Sequence, residues 1–183
     1  MTREEAYTLL TAYTKSESLI KHALAVEAAV RAYARKFGED EEKWGITGLL
    51  HDFDYEKYPD MKLHALKGAE ILQEKGWPED VVYAIKAHND YHGLPREHLL
   101  DKTLYAVDEL CGLITAVALV RPSKKLEDVK VKSVKKKMKD KSFARQVNRE
   151  EIRKGAEALG VDLDEHIALV IEAMKTVAAE LGL

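Results

Sequence analysis

The chain has 183 residues, of which 46% are apolar and 33% are charged, a composition that excludes a disordered protein and provides for a sizeable core with a well-solvated surface. No apolar run approaches the ~20 residues that cross a bilayer. The acidic N-terminus lacks the apolar segment of a secretory signal, so we expect a cytoplasmic protein that does not enter a membrane.

The net charge of −3 conceals a basic segment at 121–141, which holds ten basic residues against three acidic ones. Such a run is usually a solvated face. The alternative is that it folds back and attracts a polyanionic substrate. Its single aromatic residue, Phe143, lies at the edge, so a stacking surface for nucleic acid, and with it a nucleic-acid partner, is not expected.

Cys111 is the only cysteine. It excludes an internal disulfide and any zinc site built from cysteines. Because it lies within an apolar helical run, we predict a buried thiol.

Helical signals dominate the first half of the chain, which lacks the alternation of strands and any Asn-Gly or Asp-Gly hairpin turn. Capping residues locate the helix ends. The predicted helices are 3–12, then 14–37 with a capping box at Thr14 and Glu17, then 40–52 capped by Asp40, then 60–76 capped by Asp60, and then 78–88 opened by Pro78. A loop is predicted at 89–95.

The second half is also predicted to be helical. Asp101 is expected to cap a helix of about 18 residues that stops before Pro122. The further predicted helices are 131–139, then 148–159 with a capping box at Asn148 and Glu151, and then 164–181. These eight or nine helices predict an all-α, bundle-like fold, with one domain at 1–147 and a C-terminal helical appendage at 148–183 packed on the same domain.

Histidines and aspartates interrupt several of the predicted apolar helices. These residues are His22, His51, Asp52, His64, His88 and Asp108. An ionised Asp108 is costly to bury, and no lysine or arginine lies within a helical turn of it. A shared metal ion would offset that cost, since imidazole and carboxylate are ligands for Zn, Mn, Fe, Co and Ni. Taken singly, His22 is more often a satisfied core histidine, and Asp108 could accept a hydrogen bond from Tyr105.

The order of these residues resembles the H…HD…D signature of the HD superfamily, an all-helical family of metal-dependent phosphohydrolases. The resemblance extends from about His22 to Arg121. It is carried by Leu-Leu-His-Asp at 49–52, by His-Ala-Leu-Lys-Gly-Ala-Glu-Ile-Leu at 64–72, which is similar to the HDIG-type branch, and by Ala-His-Asn at 87–89. The chain departs from that branch at Phe53-Asp54, where Ile-Gly would stand.

The resemblance implies a metal site and an activity. His22, His51, Asp52 and Asp108 would ligate a first divalent metal ion. His64 and His88 would ligate a second one, which Asp52 would bridge to the first, or they would line the pocket and bind substrate phosphate. The implied reaction is hydrolysis of a phosphate ester or anhydride, of a nucleotide or another small phosphorylated metabolite, by metal-activated hydroxide.

Five other polar residues have a weaker predicted role or none. Lys67 shares a helix face with His64 and could contact phosphate, or it could be an exposed lysine. Asp54 could orient a water or a ligand histidine, or it could be a solvated loop residue. His92 lies four residues after His88 and could act as a ligand or acid if that helix continued, but Gly93 and Pro95 indicate that the helix has ended, so a direct role is not expected. His98 and His166 are expected at the surface.

Two other functions remain open. Some members of the superfamily are di-iron oxygenases, and their ligand order is similar to this one. The chain could instead be a metal-stabilised regulatory module without turnover, which would form a homodimer through helix 164–181.

Overall fold

The computed structural model describes residues 1–183 and is all helical, which confirms the predicted fold class. Ten α-helices and two short 3₁₀ helices (Asp90–His92 and Leu126–Asp128) make up the fold. The α-helices are α1 (Arg3–Tyr13), α2 (Glu17–Phe37), α3 (Glu41–Leu50), α4 (Leu66–Glu74), α5 (Glu79–His88), α6 (Leu99–Leu119), α7 (Val131–Lys139), α8 (Arg149–Leu159), α9 (Leu163–Lys175) and α10 (Ala178–Leu181).

The two longest helices, α2 and α6, pack against each other at the centre of the bundle. Helices α3 and α9 cover α2, while α5 and α8 cover α6. Apolar residues recur along both central helices at helical spacing, so each buries a broad stripe in one continuous core. Side chains of α8 and α9 belong to that same core, although the predicted division at residue 147 stays a prediction. No helix is long and apolar enough to span a bilayer.

Local capping signals locate several helix ends correctly. Asp40 caps α3 by accepting from Lys43 N, and Asn148 caps α8 by accepting from Glu150 N and Glu151 N. Gly38 and Gly160 end their helices in the left-handed conformation, which costs glycine nothing.

Other capping predictions are wrong, because the same residue types also form tertiary hydrogen bonds, turns and contacts within the first helical turn. Thr14 follows α1, and its hydroxyl donates to the Phe53 carbonyl, so α2 begins after Ser16. Asp60 starts a run of turns and α4 begins only at Leu66. Asp101 is the third residue of α6, where it accepts from His98 N. The predicted helix 164–181 is divided into α9 and α10.

His166 is fully buried, so its predicted surface position is wrong. Its Nε2 donates to the Ala106 carbonyl at 2.9 Å, and its Nδ1 accepts from the Tyr33 hydroxyl at 2.6 Å. A neutral imidazole with its proton on Nε2 satisfies both contacts. Burial lowers the pKa of His166 to about 4 and so favours that neutral form. The buried thiol of Cys111 is confirmed.

We expect His166 to make the fold sensitive to acid. Because its pKa is about 4 in the folded chain and ~6.5 when unfolded, its stabilisation is complete above pH 6.5 and is lost as the pH falls towards 4. At pH 5 the loss is about 2 kcal/mol in the free energy of unfolding. Urea unfolding at pH 7.5 and pH 5 measures how far the free energy of unfolding falls between the two pH values. We expect that fall to be smaller in His166→Gln than in the parent chain, by about 2 kcal/mol. An equal drop in both proteins would contradict this assignment.

Candidate metal centre

Four helices and one turn bring the predicted metal-ligating residues to one place. His22 lies on α2, His51 and Asp52 follow α3, His64 lies in the turn before α4, His88 ends α5, and Asp108 lies on α6. Their imidazole and carboxylate atoms form two groups that could each hold a metal ion, and Asp52 belongs to both groups.

The first group consists of His22, His51, Asp52 and Asp108, whose potential ligand atoms lie within 4.8 Å of one another. Asp108 Oδ1 is 2.9 Å from His22 Nε2 and 3.5 Å from His51 Nε2. His51 Nε2 is 3.3 Å from Asp52 Oδ2. Two imidazoles and two carboxylates at this spacing are a donor set that divalent transition metals accept.

The second group shares Asp52 with the first. Asp52 Oδ1 is 3.1 Å from His64 Nε2 and 3.2 Å from His88 Nε2, while its Oδ2 faces His51. The carboxylate thus directs one oxygen towards each group. This is the placement that a carboxylate shared between two neighbouring cation sites requires.

Hydrogen bonds behind three of the imidazoles orient them. They join His51 Nδ1 to Gly48 O at 2.8 Å, His88 Nδ1 to Ile85 O at 2.5 Å, and His64 Nδ1 to Asp54 Oδ1 at 3.0 Å. Because a carbonyl or carboxylate oxygen can only accept, each Nδ1 carries a proton. In the neutral rings Nε2 then presents a lone pair to the cluster, which is how metal-binding histidines are usually held.

His51 Nε2 provides the test of whether a cation fits. The side chain is fully buried, and Nε2 has no hydrogen-bond partner although two carboxylates lie within 3.5 Å. A lone pair that faces two carboxylates is unfavourable unless positive charge lies between them. The residues present therefore fit a divalent metal ion.

The buried carboxylates also shift the pKa values of the histidines in the cluster. Burial lowers the pKa of His51, but the charges of Asp52 and Asp108 outweigh burial and hold that pKa well above its ordinary value. Burial also lowers the pKa of His64, whereas hydrogen bonds to Asp52 and Asp54 raise it to about 9. The cluster thus stabilises positive charge, for which protons and metal ions compete.

Asp54 lies behind His64 and is fully buried, so its interpretation as a solvated loop residue is wrong. Besides His64, its carboxylate accepts from the backbone N–H groups of Ala65 at 3.0 Å and Gly68 at 2.9 Å. Ala65 has a φ of 67°, a strained conformation that these bonds hold in place. Asp54 does not line the cavity described below, so the structure supports a positioning role, and its predicted catalytic role stays a prediction.

We expect Asp54→Asn to weaken metal binding at the His64–His88 pair by about 10- to 100-fold and to leave the His22–Asp108 pair loaded. The amide has one accepting oxygen in place of two, so it cannot serve both His64 and the backbone. Elemental analysis of protein loaded with two metal ions should show selective loss of one. A fall in melting temperature with equal loss of both ions would mean that Asp54 only supports the fold.

A cavity of about 690 Å³ opens above both groups, a volume typical of small-molecule sites. Five of the predicted ligand residues line it, and the fully buried His51 lies behind them. Its walls include Tyr55, Asp90, Tyr91, Glu109, Gln146 and Glu151. No lysine or arginine lines the cavity.

Lys67 is not among the residues that line the cavity, and its ammonium group pairs with Glu70 at 2.6 Å. Its predicted contact with phosphate stays a prediction that this placement does not favour. His92 lies beyond the end of α5, where Nε2 donates to the His64 carbonyl at 2.7 Å. His98 is exposed, as expected.

The segment after α7 folds back to form one cavity wall, but its lysines do not reach the cavity. Arg149 donates to several backbone carbonyls of 140–147 and thereby shapes this segment. The residues that line the cavity are Gln146 and Val147. Both residues lie beyond 121–141, and no residue of that basic stretch lines the cavity, so its predicted attraction of a polyanionic substrate stays a prediction.

Sequence reasoning missed the acidic wall formed by Glu109 and Glu151. Burial, and then the charge of Asp108, raise the pKa of Glu109 to about 7, and burial raises the pKa of Glu151. The position of Glu109 directly after Asp108 was an available signal. No local signal indicated that Glu151 lines the cavity, because the sequence predicted only that it forms a capping box with Asn148.

Comparisons with known proteins relate the chain to one family. A family model described as HD domain matches residues 19–113, a range that contains all six predicted ligand residues. No solved structure matches the chain.

Several curated relatives are proteins named Ribonuclease Y. The one from Desulfotalea psychrophila is 30% identical over 171 residues, which cover 87% of this chain and 32% of the relative. Those from Oleidesulfovibrio alaskensis and Nitratidesulfovibrio vulgaris are 30% and 33% identical, each over 53% of this chain and 18% of the relative. The chain thus spans a third or less of the length of these relatives. Since the family model covers half of the chain and includes its histidine–aspartate cluster, this chain belongs to the HD superfamily of metal-dependent phosphohydrolases.

Proposed function

We propose that the chain binds divalent metal ions at the two groups and hydrolyses a phosphate ester or anhydride in the cavity above them. The observation that carries the proposal is the shared carboxylate of Asp52, with His51 on one side and His64 and His88 on the other. Fe, Mn, Zn, Co and Ni all suit this donor set. One metal ion would occupy the His22–Asp108 pair, and a second would occupy the His64–His88 pair.

The side chains would hold and orient the reacting groups. When bound, a divalent cation lowers the pKa of a water to near 7 and draws electrons from a phosphoryl oxygen. Asp52 and Asp108 supply the negative charge that retains the cations, and the Nδ1 hydrogen bonds keep each Nε2 directed at the centre. Because no lysine or arginine lines the cavity, its own side chains offer phosphate no positive charge.

The substrate we favour is a small phosphorylated metabolite, because the cavity has the volume of a small-molecule site. RNA phosphodiesters are a second candidate, which the relatives named Ribonuclease Y favour. The expectation that nucleic acid is not a partner is therefore not supported. The lysines of α7 lie on the segment that leads to the cavity wall and could contact a phosphate backbone.

Metal content and turnover test the proposal together. Elemental analysis of protein purified without chelator should give two metal ions per chain, falling to about one in His88→Ala. Phosphate release from monoesters, or cleavage of an RNA oligonucleotide, should require the metal and decide between the two substrates. Iron together with oxygen uptake would favour the oxygenase alternative instead. Bound metal without turnover on either substrate would favour a regulatory module.

A further inference from the structure

We infer that the cavity accepts a phosphate ester whose other end carries a cationic group, such as an ammonium, and that Glu109 and Glu151 bind that group. The inference rests on the proposed function, because the metal ions hold the phosphate end. It adds the chemical class of the substrate, which the ligand residues by themselves do not specify.

Glu109 and Glu151 are carboxylates without a cationic partner. Neither forms an ion pair, and each is held by Asn148, whose backbone N–H donates to Glu109 at 3.0 Å and whose amide donates to Glu151 at 2.5 Å. Asp90 on the same cavity differs, because it pairs with Arg96 at 2.7 Å and accepts from the Tyr105 hydroxyl at 3.0 Å. The protein therefore supplies no cation that pairs with either of these two carboxyl groups, whereas it supplies one for Asp90.

The wall offers an anion no compensating donor. The N-terminus of α8 faces this side of the molecule, and such helix ends often bind phosphate. Here the Asn148 side chain already accepts from the N–H groups of Glu150 and Glu151. The N–H of Asn148 itself is used by Glu109. A phosphate at this wall would meet carboxylates and find these donors occupied.

With metal ions bound at the two groups of ligand residues, the base of the cavity would be positive, while the wall at Glu109 and Glu151 is acidic. Two divalent cations would exceed the charges of Asp52 and Asp108 by two units, which suits one phosphate group. The fully buried, unpartnered His51 Nε2 marks where that positive charge belongs. A second or third phosphate would extend towards Glu109 and Glu151 and be repelled. An ammonium there would be attracted, and the half-exposed Tyr91 offers it an aromatic face.

Three matched esters test the inference on the metal-loaded full chain: 2-aminoethyl, 2-hydroxyethyl and 2-carboxyethyl phosphate. Titration calorimetry measures their binding, and phosphate release measures turnover. We expect the amino ester to bind about tenfold more tightly than the hydroxy ester, and the carboxy ester to bind most weakly. Glu151→Gln should reduce the preference for the amino ester about threefold. Glu150→Gln is the matched control, since Glu150 is exposed, pairs with Arg153 and does not line the cavity.

The outcomes separate this inference from the proposed function. Turnover of all three esters with equal affinity would overturn the inference and leave the hydrolase in place. Preferential binding without turnover would overturn the hydrolase and retain the cationic subsite. Binding of no ester, or an equal preference in Glu151→Gln and the parent chain, would overturn the inference. Glu109→Gln serves as a second variant if Glu151→Gln fails to fold.

Discussion

Asp52→Asn is expected to abolish hydrolysis and to lower metal affinity at both groups, each by more than about 100-fold, since even the loss of an outer hydrogen-bond partner costs a metal site 10–100-fold. The substitution keeps the size of the side chain and removes its charge. Because Asp52 contributes to both groups, the effect should exceed that of any substitution confined to one group. Elemental analysis and phosphate release on the same samples measure the two losses.

Glu74→Gln is the matched control for Asp52→Asn. It removes the same charge from an exposed position on α4 that lies outside both metal groups. We expect it to retain metal and turnover. Full metal content in Asp52→Asn would show that the shared carboxylate is not a ligand, and the proposed centre would then have to rest on the histidines and Asp108.

Gly155→Ala is expected to reduce the free energy of unfolding by about 3 kcal/mol, an overpacking effect at a helix–helix contact. Gly155 lies on α8 where it crosses α6. A Cβ atom there would come within 2.5 Å of Ala106 Cα and 2.8 Å of Ala106 Cβ. Because the first of these atoms is backbone, the two helices must separate. That shift would also move Glu151 away from the α6 side of the cavity, so binding of the amino ester should weaken as well.

Gly112→Ala is the control for Gly155→Ala, and we expect it to raise the free energy of unfolding where Gly155→Ala lowers it. Gly112 lies within α6, and a Cβ atom there would find only Val147 Cγ2, at 4.0 Å. The substitution should leave the packing intact and gain up to about 1 kcal/mol of helix propensity. Urea unfolding measures both variants. Similar changes in the two would mean that the α6–α8 contact is more adaptable than its geometry indicates.

Helix ends show how far local signals extend. Asp40 and Asn148 were located correctly, because a cap depends on the few residues that follow it. Thr14 and Asp60 carry the same kind of signal and cap no helix. The Thr14 hydroxyl donates instead to the distant Phe53 carbonyl, a group that the local pattern does not contain. The Asp60 carboxylate accepts from Lys62 N within a turn that does not continue into a helix.

The ligand residues were identifiable from the sequence because they are chemically conspicuous. A charged or imidazole side chain in an apolar helix requires a partner, and the order of six such residues resembles one family. The structure brings all six together. Lys67 and Asp54 lie near ligand residues in the chain, but neither lines the cavity, since proximity along the chain does not specify which way a side chain points.

The sequence by itself determined the helical fold class, most of the helices and the residues at the base of the cavity, because periodicity, caps and misplaced polar groups are properties of short segments. Only the tertiary structure decided that His166 is buried, that Asp54 supports His64, and that Glu109 and Glu151 form an acidic wall. The physical reason is that these features arise from contacts that the local pattern does not contain. The packing of α8 and α9 on the central pair creates the acidic wall and buries His166, and the turns between α3 and α4 bring Asp54 to His64.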